Sequence, residues 1–164
     1  MQRPYRGWVP DVMHPYPHSY TASAHAADTG SVTVRSPELP AVQTAPPPQF
    51  GGPPGVWSPE TLLCASVADC FVLTFRSVAR AAGLEWKELE CRVEGRLERR
   101  EGQSLFTRFT TNARLSIASG QDTAKARQLL EQAEHGCLVA NSLRAASELT
   151  MEVSVAEGAA VASG

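Results

Sequence analysis

The chain has 164 residues, of which 43% are hydrophobic and 20% charged, and its formal net charge is −2. These values are typical of a single globular domain with its own core, and the near-neutral charge gives no electrostatic reason to expect nucleic acid or an anionic membrane as a partner. The apolar run within residues 61–75 is interrupted by Ser66, Asp69 and Thr74, so we expect a core helix and not a membrane span.

The N-terminal residues bear on the cellular compartment in which the protein is expected. No apolar segment follows Arg3 and Arg6, so we expect no secretory signal and a cytoplasmic location. In that reducing compartment the four cysteines are expected to be thiols and not a disulfide framework. None of their spacings matches the C-x₂₋₄-C pattern of zinc sites, so neither a metal nor another cofactor is predicted.

Composition divides the chain into three parts. Residues 1–18 are rich in proline and aromatic side chains and have no periodicity, which predicts an irregular N-terminal arm. One domain is predicted over 19–157, and residues 158–164 are expected to be a frayed tail. Within the domain, the proline- and glycine-rich segment 46–55 fits neither a helix nor a central strand, which predicts a long loop.

Hydrophobic periodicity predicts nine elements inside this domain. In chain order they are strands at 19–26, 31–35 and 41–44, a helix from Ser58 to about Ala82, strands at 89–98 and 107–117, helices at 122–133 and 137–146, and a strand at 149–155. The order β-β-β-α-β-β-α-α-β predicts an α+β fold with antiparallel sheets.

The long helix has clear start and stop signals. Ser58 supplies an N-cap hydroxyl, Pro59 occupies the first helical position, Glu60 adds a carboxylate to the first turn, and Gly83 ends the helix. The first half of the helix is apolar on all sides, which predicts burial on all sides. Since a domain this small cannot cover such a helix alone, we expect a second copy of the chain to cover it.

Two cysteines are candidates for redox chemistry: Cys70 inside this helix and Cys137 at the start of a later one. Positive potential at helix N-termini favours a thiolate, and a partner thiol allows an oxidised cysteine to be recovered. The alternative for Cys70 is an inert buried side chain, which is the more common state of a core cysteine. Cys64 and Cys91 are interpreted as core packing, because Cys64 lies off the helical face of Cys70 and Cys91 lies on the inner face of a strand.

Two segments carry recognisable motifs. They read SPETL at 58–62 followed by ADCF at 68–71, and HGCLVANSL at 135–143. The first resembles the NPE-x-L…A-A-C-F segment, and the second the CPVSNAL segment, of the OsmC/Ohr family of osmotically inducible protein C and organic hydroperoxide resistance proteins. Two motifs in this order, separated by a hairpin, make a fairly specific match. The resemblance implies an α+β, OsmC-like fold in which antiparallel sheets pack around a long central helix in an intertwined dimer.

The same resemblance implies a thiol-dependent peroxidase that reduces organic hydroperoxides. Cys70 would become a sulfenic acid, Cys137 would close an intramolecular disulfide, and a dithiol reductant, suspected to be a lipoyl protein, would reopen it. Glu60 would orient an activating cation, because a carboxylate alone beside a thiol raises the pKa of the thiol. The implied partners are the hydroperoxide, the reductant and a second copy of the chain.

The activating arginine of the family has no counterpart at its expected positions. One position corresponds to 49–52, which begins with Gln49, and the other to 25–28, which begins with His25. Arg35 is the nearest candidate, while neutral Gln49 would stabilise a thiolate less than a guanidinium does. The cation could instead come from the partner subunit. The alternative function is therefore an OsmC-fold protein with weak or lost peroxidase activity that binds an apolar ligand.

Overall fold

The structure, a computed structural model, describes residues 14–156. Its elements are β1 (Ser23–His25), β2 (Val32–Arg35), β3 (Val42–Thr44), a 3₁₀ helix (Pro48–Phe50), α1 (Pro59–Ala81), β4 (Trp86–Arg100), β5 (Gln103–Ile117), α2 (Thr123–His135), α3 (Leu138–Asn141) and β6 (Ala146–Val155). The 3₁₀ helix aside, this order is the predicted one. Residues 14–18 of the predicted arm have no strand or helix, and the rest of the arm lies outside the described residues, as does the predicted tail at 158–164.

The long helix α1 begins and ends where its sequence signals predict. Ser58 Oγ accepts a hydrogen bond from the Thr61 N–H, and Thr61 Oγ1 accepts one from the Ser58 N–H, so the two residues form a reciprocal capping box. At the other end Gly83 adopts the left-handed conformation with φ of 64°, which stops the helix. Local side-chain and backbone chemistry therefore sets both ends of α1.

Within one chain, only one face of α1 is buried. The buried positions recur at helical spacing and are Val67, Phe71, Phe75 and Ala79. Away from this row, Leu73 is 44% exposed and Leu62 and Leu63 are only half-buried. The expected burial on all sides is therefore not reached in the single chain.

By length and composition alone, α1 is long and apolar enough to cross a membrane. A single helix of this kind is weak evidence, because the core helix of a soluble protein meets the same criterion. Here α1 packs against β4 and α2.

The second sheet is built on a long hairpin. β4 and β5 pair antiparallel around Glu101 and Gly102, whose φ angles of 50° and 82° belong to a two-residue turn of the primed type. β6 then joins β5 in parallel, where an antiparallel sheet was expected. The difference arises because α2 and α3 carry the chain back along the sheet before β6 begins. The pairing of β6 with β5 starts at Ala146. The helix α3 therefore ends at Asn141, whereas the sequence predicted that it would extend to Ala146.

The hydrophobic core lies between the inner face of the second sheet and the helices α1 and α2. Inner positions of β5 alternate with more polar ones, and Leu115 and Ile117 are 1% and 0% exposed. From α1, the ring of Phe75 meets Trp86 of β4 edge to face with centroids 5.4 Å apart. This packing fixes α1, and with it the cysteines it carries, against the sheet.

The first sheet has little support from the rest of the described chain. β1 is exposed throughout, and Val32 and Val34 of β2 are only half-buried. Within residues 14–156 these strands make at most slight contact with the helices or the second sheet. A link to α1 runs through Thr44, which bridges to Trp57 next to the helix start. So small a sheet needs another surface to pack against.

Candidate functional site

The fold brings Cys70 and Cys137 together. Cys137 is the N-cap of α3, and Gly136 before it lets the loop approach α1 closely, since an added Cβ there would lie 3.0 Å from Thr74 Cγ2. The Sγ of Cys137 lies 3.8 Å from the carbonyl oxygen of Val67, one helical turn before Cys70. Cys70 is a neighbour of Cys137 and raises the pKa of Cys137. Both are free thiols.

Cys137 is buried and holds its proton at neutral pH. Its side chain is 1% exposed, and burial raises its pKa to about 11. The charge of Cys70 adds to the shift, while the backbone N–H groups of Ala140 and Val139 oppose it. The positive potential expected from the start of α3 is therefore outweighed by burial. The neutral Cys137 donates its S–H to the carbonyl oxygen of Val67, and Cys70 is the more accessible of the two thiols.

A third thiol lies in the same neighbourhood. Cys91 sits on the inner face of β4 and packs against the core, as predicted. Burial raises its pKa to about 11, and the charge of Cys137 contributes to that shift. Cys91 is therefore a neutral core thiol at pH 7.

Glu60 and Gln49 meet in a different part of the chain. They line a cavity of about 350 Å³ between the loop before α1, the first turns of α1 and the β4–β5 hairpin. The Oε2 atom of Glu60 is buried and has no hydrogen-bond partner in the described part of the chain. A buried carboxylate oxygen normally has a donor, so this cavity lacks one polar group that would complete it.

Cys64 also lines this cavity, so its interpretation as plain core packing needs correction. Glu60 and Cys64 are four residues apart on α1, a spacing that places them on one helical face. This four-residue spacing is the sequence signal that could have predicted that Glu60 and Cys64 line the same cavity. The position of Cys64 was considered only relative to the helical face of Cys70, so this spacing was not used.

Glu60 and Cys70 do not share a site within one chain. They are ten residues apart on the same helix, which separates them by about 15 Å along its axis. Arg35 is exposed at the end of β2 and lines another shallow cavity, together with Ser23 and Pro37. Within residues 14–156, no lysine or arginine partners Glu60 Oε2, and none contributes to the pKa shift of Cys137.

Comparison with known proteins places this arrangement in a family. The profile described as "OsmC-like protein" matches residues 52–152, which include α1, the hairpin, Cys70 and Cys137. The chain belongs to the OsmC-like family. It is also similar to an uncharacterized protein of Bacillus subtilis (strain 168), YmaD, with 26% identity over 115 residues that cover 68% of this chain and 77% of the relative.

Solved structures agree with the OsmC-like assignment. An OsmC-like protein of unknown function from Vibrio cholerae superposes with a TM-score of 0.73 at 15% identity, covering 84% of this chain and 100% of that protein, and shows the fold alone. An organic hydroperoxide resistance protein OsmC from Legionella pneumophila superposes with a TM-score of 0.66 at 25% identity, covering 86% of this chain and 100% of that protein. The α+β fold with two sheets is therefore that of OsmC proteins.

Proposed function

We propose that this OsmC-like protein is a thiol-dependent peroxidase that reduces organic hydroperoxides, with Cys70 as the reacting thiol and Cys137 as the resolving thiol. The observation that carries the proposal is the proximity of the two thiols: Cys137 Sγ lies against the Val67 carbonyl one turn before Cys70, and Cys70 raises the pKa of Cys137. The family includes proteins named for organic hydroperoxide resistance, and the similarity to the Legionella pneumophila protein supports the same substrate class here. The reductant is proposed to be a dithiol such as a lipoyl group.

The proposed reaction has three steps. The Cys70 thiolate attacks the distal oxygen of the hydroperoxide, so the O–O bond breaks and Cys70 becomes a sulfenic acid, while the departing alkoxide takes up the proton that the thiol had released and leaves as the alcohol. Cys137 then attacks that sulfur, a disulfide forms and water leaves. Finally, the dithiol reduces the disulfide and is itself oxidised to a cyclic disulfide. Cys137 suits the middle step because it is buried beside Cys70, within reach of the sulfenic acid that would form there.

We also propose that the working form is a homodimer whose active sites lie at the subunit interface. Glu60 lies about 15 Å along α1 from Cys70 of its own chain, so it can act on a Cys70 only if that residue belongs to another copy. The half-exposed face of α1, with Leu73 44% exposed, offers apolar surface for such a copy, as does Leu105 of β5, which is 41% exposed.

Peroxide consumption tests the proposal directly. Wild-type protein given cumene hydroperoxide and dihydrolipoamide should turn over, Cys70→Ser should not, and Cys137→Ser should accumulate a sulfenic acid that dimedone labels at Cys70. Cys91→Ser is the matched control, because it makes the same change at another half-buried thiol and should keep most of the activity. Equal peroxide consumption by wild type and Cys70→Ser would remove the basis for the proposal.

The alternative is an OsmC-fold protein with weak or lost peroxidase activity that binds an apolar ligand. It is favoured by the absence, within residues 14–156, of a lysine or arginine acting on Cys137 or pairing with Glu60 Oε2. The cavity beside Glu60 has apolar walls that include Phe50 and Phe106. The same assay separates the two functions, since a binding protein would show no turnover that depends on Cys70.

A further inference from the structure

The short loop between α2 and α3 carries Cys137, and Asn141 closes this loop. Asn141 is the last residue of α3, and its Nδ2 donates to the carbonyl oxygen of His135 at 2.7 Å. Its backbone N–H donates to the carbonyl oxygen of Cys137 at 3.0 Å. Because the last carbonyl groups of a helix have no partner inside that helix, the side chain of Asn141 also satisfies the end of α2. One residue thus ties the backbone before Cys137 to the backbone after it.

The other side of the loop rests on α1, next to Cys70. Thr74 lies one turn after Cys70, and its Oγ1 donates to the Cys70 carbonyl oxygen at 2.7 Å. The methyl carbon of the same side chain faces the loop, since a Cβ added at Gly136 would lie 3.0 Å from Thr74 Cγ2. Cys137 Sγ lies 3.8 Å from the carbonyl oxygen of Val67, one turn before Cys70. The loop therefore contacts α1 one turn before and one turn after Cys70.

These contacts bear on the step in which Cys137 would resolve an oxidised Cys70. An intramolecular attack is fast only while the two reacting atoms are held close and aligned, and a disulfide has a narrow range of geometries. A cysteine side chain has a single χ angle, so the backbone of Cys137 largely sets where its sulfur lies. That backbone is held by Asn141 on one side and by α1 on the other.

We propose that Asn141 is a positioning residue for the resolving step, because its hydrogen bond to His135 holds Cys137 within reach of Cys70. The inference rests on the proposed function, in which Cys137 resolves a Cys70 sulfenic acid. In that step the sulfur of Cys137 attacks the sulfur of Cys70, the S–S bond forms and the S–O bond breaks. The departing hydroxide takes up the proton of Cys137 and leaves as water. Asn141 acts through the backbone of the loop and takes no part in the first step.

Competition for the sulfenic acid measures the resolving step by itself. The reduced full chain receives one equivalent of cumene hydroperoxide in the presence of dimedone. Mass spectrometry then gives the ratio of Cys70–Cys137 disulfide to dimedone adduct at Cys70. Asn141→Leu has nearly the same size but no donor, so the ratio should fall about fivefold, the factor that corresponds to the net free energy of one hydrogen bond. The rate at which peroxide consumes the Cys70 thiol should not change.

Two controls separate positioning from general effects on the fold. Asn112→Leu makes the same change on β5, where the amide oxygen accepts a hydrogen bond from Thr150 of β6, and it should leave the ratio unchanged. In a Cys137→Ser background no resolving thiol is present. There Asn141→Leu should leave the rate of dimedone labelling at Cys70 unchanged, which shows that the substitution does not simply open the site to the reagent.

A paired substitution tests the contact between the loop and α1. Gly136→Ala adds a Cβ that would lie 3.0 Å from Thr74 Cγ2, so it should move the loop away from α1 and lower the ratio as well. Thr74→Ser removes Cγ2 and keeps the hydroxyl that donates to the Cys70 carbonyl oxygen. The double variant should therefore regain part of the ratio. The recovery should be partial, because the added Cβ would also lie 3.1 Å from the carbonyl oxygen of Gln132.

The outcomes distinguish a failure of this inference from a failure of the proposed function. If cumene hydroperoxide does not oxidise Cys70, the proposed function fails, and diamide, which oxidises pairs of thiols without a peroxide, replaces it. Slower formation of the Cys70–Cys137 disulfide by diamide in Asn141→Leu would then still support the positioning role. A ratio or a diamide rate in Asn141→Leu that equals the wild-type value, or an equal fall in Asn112→Leu, overturns the inference.

Discussion

At the scale of single residues, the chemistry depends on which of two facing thiols holds its proton. Cys137 is almost fully buried and its pKa is raised to about 11, first by burial and then by its contact with Cys70. At pH 7 it is therefore a neutral hydrogen-bond donor. This difference is the reason we propose the buried thiol as the resolving one and the half-buried Cys70 as the one that meets the peroxide.

Removing Cys70 should lower the pKa of Cys137. Cys70→Ala deletes the neighbouring thiol and its charge, which raise this pKa, whereas burial remains, so the value should fall below about 11 but stay above the model-compound value of 9.0. The thiolate absorbance in the ultraviolet, followed from neutral to alkaline pH, measures the change. Cys64→Ala is the control and should leave the pKa of Cys137 unchanged. A pKa of Cys137 that does not move in Cys70→Ala would mean that the two thiols are not in contact.

Gln49 occupies the cavity of Glu60, whereas Arg35 lines a different one. Gln49→Arg should therefore place a guanidinium against the unsatisfied oxygen of Glu60. In a dimer that pairs this cavity with the partner's thiol, the cation should speed peroxide turnover and make alkylation of Cys70 faster at neutral pH. Arg35→Ala should change neither rate. If Arg35→Ala abolishes activity while Gln49→Arg changes nothing, the assignment of the cation site is wrong.

Single residues also show which parts of the site the sequence could predict. The Cys70–Cys137 pair was suggested by two motifs, because each motif ties a cysteine to a recognisable helix start. The cavity around Glu60 was only partly predicted. Its carboxylate and Gln49 came from the family resemblance, but Cys64 and the floor at Gly95 depend on how α1 lies against β4, which no local pattern encodes.

At the scale of elements, local sequence signals predicted the ends of α1 correctly, whereas features that depend on long-range strand pairing were predicted wrongly. The ends of α1 follow from the capping box at Ser58 and the left-handed Gly83. The α3 helix was predicted too long, because strand pairing from Ala146 competes with helix formation. The parallel direction of β6 likewise depends on the path through α2 and α3, which the alternation of its residues does not encode.

The loop before α1 has one position that only glycine can occupy. At Gly52 an added Cβ would overlap the carbonyl oxygen of Pro46, and backbone cannot move aside as a side-chain tip can. Gly52→Ala should therefore lower the free energy of unfolding by about 1–3 kcal/mol and displace Gln49 from the cavity. Urea denaturation measures the first effect. Gly55→Ala is the control: its left-handed backbone also strains alanine, but an added Cβ meets no atom within 4 Å, so its loss should be smaller. Equal losses at both positions would contradict the steric argument.

At the scale of the whole molecule, a single chain leaves apolar surface and one buried polar atom without partners. The first sheet has little to pack against, α1 buries one face, and Glu60 lacks a donor. A second copy is the simplest way to supply all three. Sedimentation velocity should therefore find a dimer at low micromolar concentration, with Leu73→Glu weakening it because a charge enters the apolar face of α1. Lys87→Glu, an exposed change on β4, should not affect assembly. A folded monomer at that concentration would rule out the shared active site.

The central claim is that Cys70 and Cys137 form one redox pair, and peptide mapping after oxidation tests it most directly. The reduced chain is treated with one equivalent of cumene hydroperoxide, free thiols are blocked, and the disulfide-linked peptides are identified by mass spectrometry. Because the two thiols are neighbours, we expect one dominant Cys70–Cys137 link, with Cys64 and Cys91 recovered as blocked thiols. A dominant link between Cys64 and Cys91, or no link at all, would contradict the two-cysteine mechanism.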